Sequence, residues 1–300
     1  MAPVKEKRGR IRIMGHSLFY RSFGSGNSSA GGTVVCLHGG PGATHDYLLP
    51  MADLAARGYR VLLYDQLGCG RSELPSNPSL FTIERGVEEL EALRKTMRLG
   101  RVHIMGSSYG GLLALAYALK YQRNLRSIVT EGGIASVPLT ISEMQRLKSR
   151  LPARVKRTMA KYETKGEFSN PDYIKAVDEF YRRHLCRLPV WPEELLHSIR
   201  NTSLPVYGTM NGPNEFTITG NIRYWDISSR LHEIMVPTLV TGGRYDEVTP
   251  RVARQISDGI SDSRLVIFRN SSHLPMWEER ERFISCVADF LDSVVERNVR

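Results

Sequence analysis

Cysteine is scarce in this chain of 300 residues: Cys36, Cys69, Cys186 and Cys286 are all there are, and no two stand in CxxC spacing. That spacing argues against a zinc site and against a dense disulfide framework, and predicts reduced thiols, several of them buried. Long apolar runs are also missing. A membrane-spanning helix needs about 20 apolar residues in succession, and no stretch reaches that length. The charged start Met1-Ala2-Pro3-Val4-Lys5-Glu6-Lys7-Arg8 leads into no apolar signal core, so the expectation is a cytoplasmic protein with no membrane partner. No GxxxxGK[ST] accompanies the glycines, which removes a phosphate loop. No internal repeat or low-complexity segment stands out, and nothing calls for a metal or another cofactor.

What remains is an ordinary globular composition, 41% hydrophobic and 24% charged, long enough for one large domain carrying an insertion. The net charge of +10 raises a nucleic-acid reading, which would need basic residues gathered on one face or interleaved with stacking aromatics. Lys5 to Arg12 reads instead as a solvated lead-in. Arg146 to Lys161 is richer in charge, yet Leu147, Leu151, Val155 and Met159 recur every four residues within it. That period predicts one amphipathic helix with a charged outer face and no nucleic-acid partner.

Along the chain, apolar runs alternate with helical patterns. Arg12 to Phe23 resembles a hairpin; Thr33-Val34-Val35-Cys36-Leu37 and Tyr59 to Tyr64 read as strands, with Tyr47 to Arg57 helical between them. A helix from Ile83 to Met97 and strands at Val102 to Met105 and Ser127 to Thr130 continue the series. Such alternation predicts an α/β fold with a mostly parallel central sheet and helices on both faces. From 136 to 230 the pattern becomes helical and proline-punctuated. Strands at Pro237 to Thr241 and Leu265 to Phe268, and helices at Val252 to Ile260 and Trp277 to Val295, then resume the alternation. The predicted organisation is a sheet domain of residues 1–135 and 231–300 interrupted by a helical lid of residues 136–230.

The chemistry starts at Gly106-Ser107-Ser108-Tyr109-Gly110, a GxSxG pattern set between the strand Val102 to Met105 and the helical run Leu112 to Leu119. Strand, sharp turn and helix is the context of a nucleophile elbow, and Ser108, not Ser107, has the flanking glycines. A serine hydroxyl needs a base to take its proton and a third group to orient that base. Asp246 and His273 each follow a predicted strand, in the order that such elbows require, although Glu247 is a competing acid next door. Strand-end loops converge on one crevice in open α/β sheets. The loop His38-Gly39-Gly40-Pro41-Gly42 follows another strand and offers the Gly40 N–H as one oxyanion donor; the Tyr109 N–H supplies the second. His38 itself reads as structural, and Asp65 and Arg71 as braces of their own loop.

Taken together, His38 to Gly42, Asp65-Gln66-Leu67-Gly68-Cys69-Gly70-Arg71-Ser72, Gly106 to Gly111, Gly243-Arg244-Tyr245-Asp246 and Ser272-His273 resemble the prolyl iminopeptidases and the closely related tricorn-interacting aminopeptidase. These belong to the α/β-hydrolase superfamily. The segment Met210-Asn211-Gly212-Pro213-Asn214-Glu215-Phe216 resembles the tricorn-interacting enzyme in particular. The resemblance implies an α/β-hydrolase fold and removal of an N-terminal residue, proline or another apolar one, from short peptides through an acyl-enzyme. It also implies that Glu215 and Glu247 hold the substrate amine, and that a larger protease such as tricorn can lie upstream. By themselves, Glu215 would read as a solvated lid carboxylate and Glu247 as a first-turn helix acid. Trp191, Tyr207, Phe216 and Trp225 are candidates for the wall of an apolar pocket. An esterase or amino-acid amidase on the same scaffold is the alternative enzyme reading, since such a triad serves any acyl transfer. A binding protein that has lost catalysis is a third reading, and no triad member is missing here to favour it.

Overall fold

The computed structural model describes residues 4–24 and 31–297; Met1, Ala2 and Pro3 of the charged lead-in lie outside them. Among the described residues eight strands form one sheet: β1 (Glu6–Ile13), β2 (His16–Phe23), β3 (Thr33–Leu37), β4 (Arg60–Tyr64), β5 (Val102–Ser107), β6 (Leu125–Glu131), β7 (Thr238–Gly243) and β8 (Ser263–Phe268). Their order is β1-β2-β4-β3-β5-β6-β7-β8. β1, β2 and β4 pair antiparallel, and every later pairing is parallel. The predicted hairpin therefore exists and is longer than expected, with Glu6 opposite Phe23.

Parallel strands must be covered on both faces, because their crossovers place helices there. In β3 the alternation decides which residue goes where. Val35 and Leu37 enter the core under α1 (Ile83–Thr96) and α2 (Tyr109–Tyr121). Val34 and Cys36 enter the opposite core, under the 3₁₀ segment His45–Arg57 and the C-terminal helix. All four are fully buried. The chain runs from β3 outward to β4 and returns to the other side of β3 as β5, so the strand order reverses there. The loops after β3 and β5 thus flank a topological switch point, where α/β sheets open a crevice.

Between β6 and β7 come five helices: α3 (Val137–Ser149), α4 (Ala153–Lys165), α5 (Pro171–His184), α6 (Glu193–Arg200) and α7 (Leu204–Met210). α3, α4 and α5 share a small core of their own, while Leu195 of α6 and Val206 and Met210 of α7 join the sheet cores. The single helix expected over Arg146 to Lys161 is two helices, α3 ending at Ser149 and α4 starting after Pro152. Proline has no N–H to continue the ladder and pushes its predecessor out of the helical region. The apolar residues read from that segment, Leu147, Leu151, Val155 and Met159, are nonetheless all buried together. The last expected helix is likewise split. After α8 (Pro250–Gly259) come α9 (Pro275–Glu278) and α10 (Arg280–Arg297), separated at Glu279, whose φ is −132°. All four cysteines are free thiols; Cys36, Cys69 and Cys186 are buried and Cys286 is half-buried. Among the described residues no helix is long and apolar enough to cross a membrane.

Candidate active site

Ser108 occupies the turn between β5 and α2 with φ 56° and ψ −121°, a backbone conformation that side-chain-bearing residues rarely adopt. The flanking glycines are there for space. A Cβ on Gly106 would sit 2.2 Å from the Gly110 carbonyl oxygen, and one on Gly110 would sit 2.1 Å from that of Leu37. The turn is held from the neighbouring strand, where the Glu131 carbonyl accepts the Ser108 N–H at 2.8 Å. Tyr109 begins α2, and the first N–H groups of a helix have no partner within it. Opposite, Gly40 turns the loop after β3 with φ 110°, a value open to glycine and hardly to anything else.

Asp246 and His273 arrive on the loops after β7 and β8. The His273 Nδ1–H donates to Asp246 Oδ1 at 2.7 Å, and the same oxygen accepts the Val248 N–H at 2.7 Å. Both loops are pinned by the end of α5: the His184 carbonyl accepts the N–H groups of Glu247 and His273, each at 3.2 Å. The His184 ring stands 2.7 Å from the Tyr245 carbonyl. Burial alone would lower the affinity of His273 for a proton. The Asp246 charge and hydrogen bond, with Glu131 and Glu247 nearby, outweigh that and raise it well above the ordinary histidine range.

A cavity of about 310 Å³ joins the parts, lined by Ser108, Tyr109, Gly40, His273, Glu215 and Glu247. Asp246 is buried behind His273, away from that lining. Much of the remaining wall is apolar, with Leu112, Ile134, Val137, Met144, Leu204 and Ile222 among it. Glu215 Oε2 accepts the Tyr181 hydroxyl at 2.6 Å. Glu247 is buried and its Oε2 has no partner. Burial, helped by the charges of Glu215 and Asp246 and opposed by His273, pushes its carboxyl up to about 8. An unpartnered buried carboxyl in an apolar pocket favours a ligand that brings positive charge.

Of the four aromatic candidates only Tyr207 lines the cavity. Phe216 packs edge-on against Phe180, with ring centroids 4.7 Å apart, inside the helical core. Trp191 and Trp225 pack against the two sheet cores. Among the described residues, two groups of acidic and histidine side chains converge to within 4.8 Å, His45 with Asp46 and Asp65, and Glu131 with Asp246 and His273. Hydrogen bonds within the protein account for the first group: Asp65 Oδ1 accepts the His45 N–H at 2.9 Å and lies 2.7 Å from Nδ1 of the same residue, while Arg71 binds Asp46 at 2.8 Å. His38 is buried nearby, its Nε2 accepting the Gln66 N–H at 3.0 Å.

The model of the alpha/beta hydrolase fold family matches residues 32–280. A proline iminopeptidase from Saccharolobus solfataricus is 46% identical over 298 residues, which is 99% of this chain and 96% of the relative. The chain belongs to the α/β-hydrolase family and, within it, to the proline iminopeptidases. Solved structures of this hydrolase family agree. That of VinJ is 36% identical with a TM-score of 0.93 over 97% of this chain and 100% of the other. That of the proline iminopeptidase from Mycobacterium smegmatis is 32% identical with a TM-score of 0.91 over the same shares. Three residues at the hydrolase site have no counterpart in the sequence reading: Tyr181 behind Glu215, the His184 carbonyl beneath both loops, and Glu131 beside Asp246. Glu131 ends a strand that already carries Arg126, Ser127 and Thr130, so nothing local singles it out; the other two contacts depend on how α5 packs.

Proposed function

We propose that this protein is a serine aminopeptidase of the prolyl type, which releases N-terminal proline or another apolar residue from short peptides through an acyl-enzyme. The observation that carries this reading is the shared cavity, in which a serine and a histidine face two carboxylates across an apolar pocket. The α-amine of the substrate enters as an ammonium ion and pairs with Glu215 and Glu247. Its ionic contact with Glu247 requires that carboxyl to give up the proton its burial favours. The distance from amine to first carbonyl is short and fixed, so holding the amine sets the carbonyl against Ser108.

Ser108 Oγ then attacks while His273 Nε2 takes its proton, and Asp246 holds the ring by Nδ1. The oxygen that becomes negative lies toward the N–H groups of Gly40 and Tyr109, donors of a kind worth about 3 kcal/mol each in a pre-organised site. The imidazolium returns its proton to the departing peptide amine, and water attacks the ester by the same route in reverse. Residues 136–230 act as a cap: they supply Glu215 and Tyr181 and part of the apolar wall. A larger protease such as tricorn would supply peptides of the length such a covered site accepts.

A panel of aminoacyl amides and tripeptides, each with free and acetylated amines and assayed before and after a serine-directed covalent inhibitor, tests the reading. Free-amine prolyl substrates should be cleaved and acetylated ones spared, with the inhibitor stopping turnover. Equal cleavage of both forms would assign the site to an esterase or amidase and remove the amine-binding role of Glu215 and Glu247.

A further inference from the structure

One carboxyl that this mechanism does not use lies directly behind the site. Glu131 closes β6 and is fully buried. One atom each of Glu131, Asp246 and His273 falls within 4.8 Å of the other two. Glu131 Oε2 accepts the Ser107 hydroxyl at 2.7 Å, but Oε1 has no partner, and neither has Asp246 Oδ2. Two buried carboxyls crowded on one imidazole, each with an acceptor oxygen left over, lack a donor. A proton on one carboxyl supplies it, since like charges so close in a dry site do not both stay ionised.

The other groups facing Glu131 do not relieve it. Glu278 of α9 adds negative charge, itself bound by the N–H and hydroxyl of Ser272, and the Tyr47 hydroxyl accepts the Gly39 N–H. Glu247, on the same loop as Asp246, presses on His273 with the same sign. Burial is the main cause that pushes the Glu131 carboxyl up to about 8, and the positive charge of His273 works against it.

We propose that Glu131, Asp246 and His273 form a proton-sharing cluster in which Glu131 is a positioning residue. In its neutral form it donates to Asp246 and fixes that carboxylate; in its ionised form it adds a second negative charge against the imidazolium. The proposal rests on the reading of Ser108 and His273 as nucleophile and base. Because Glu131 and His273 draw on the same proton, the imidazole stays protonated to higher pH than it would facing Asp246 alone. A residue that only filled space behind the triad would not move the titration of the base.

The test is the pH profile of kcat/KM on a free-amine prolyl substrate for wild type, Glu131→Gln, Ser107→Ala and Ser108→Ala, with thermal melts alongside. Glu131→Gln keeps the shape and removes the charge, and its acid limb should move to lower pH by about one unit. Ser107→Ala removes the donor that stabilises ionised Glu131, and should move the limb the same way by less. An unmoved limb in folded Glu131→Gln overturns the proposal; if that variant does not fold, an unmoved limb in Ser107→Ala overturns it. An inactive Ser108→Ala beside an unmoved limb removes the proton sharing alone. An active Ser108→Ala removes the serine mechanism, and the proposal with it.

Discussion

Gly132→Ala places a methyl group against the two side chains on which turnover depends. Gly132 follows Glu131 with φ 52°, and a Cβ there would lie 2.5 Å from His273 Cε1, 2.7 Å from its Nδ1 and 3.3 Å from Asp246 Oδ2. Carbon atoms in contact normally stay about 3.5 Å apart, so the ring must retreat by about 1 Å. Neither partner is the free end of a flexible chain: His273 is buried, hydrogen-bonded to Asp246 and anchored through its backbone to His184. A misplacement of that size costs about a hundredfold in rate. The left-handed backbone adds about 1–2 kcal/mol of strain, small enough to leave the protein folded. The expected result is a kcat about a hundredfold lower with a largely preserved KM, because Glu215 and Glu247 are untouched. Steady-state kinetics on a prolyl substrate, paired with a thermal melt, reads both effects. A folded Gly132→Ala protein with wild-type kcat would refute the claim that His273 must sit where it does.

Glu247→Gln removes the charge that meets the substrate amine and should raise KM for free-amine substrates by about tenfold to a hundredfold, with kcat less affected; an unchanged KM would show that the amine is held elsewhere. Burial pushes the Glu247 carboxyl up to about 8, so its pairing with an ammonium ion is expected to displace a proton near neutral pH. Binding of proline amide should therefore release protons, which calorimetry in buffers of different ionisation enthalpy measures; no release would contradict the pairing. Glu143 is one of several carboxyls that tie stability to pH: it is lowered to about 2, chiefly by its hydrogen bonds with Arg146, with Thr249 and Arg251 adding to the effect. A depressed carboxylate stabilises the fold above its unfolded value, near 4.5, and that contribution fades as pH falls toward 2. Melts at pH 5 and pH 3 should show wild type losing more stability than Glu143→Gln; equal losses would contradict the assignment.

Ser108 was legible because sterics write themselves into the sequence. Gly106 and Gly110 stand where two backbones pass too close for any Cβ, so the elbow carries its own signature. Asp246 and His273 were legible by position, as polar residues in the loops that follow β7 and β8. Glu131 was not, because its meaning comes from the meeting of β5, β6 and two later loops, which no local spacing records. Periodicity misled at Arg146 to Lys161: four apolar residues in step outweighed Pro152, yet both were satisfied, with the helix broken and the residues buried. The aromatic residues of the helical insertion show the same limit. Phe216 and Trp191 lie outside its helices, so no helical period places them, and only packing decides whether such a residue joins a core or lines the cavity.

Kinetics of Ser108→Ala on a free-amine prolyl peptide test the central claim most directly. The substitution leaves Glu215, Glu247 and the apolar wall in place, so the protein should fold and bind substrate much as before. Turnover should fall by at least about 10⁴-fold, as removal of a nucleophile from such a unit does. Near-wild-type turnover by Ser108→Ala would contradict the account.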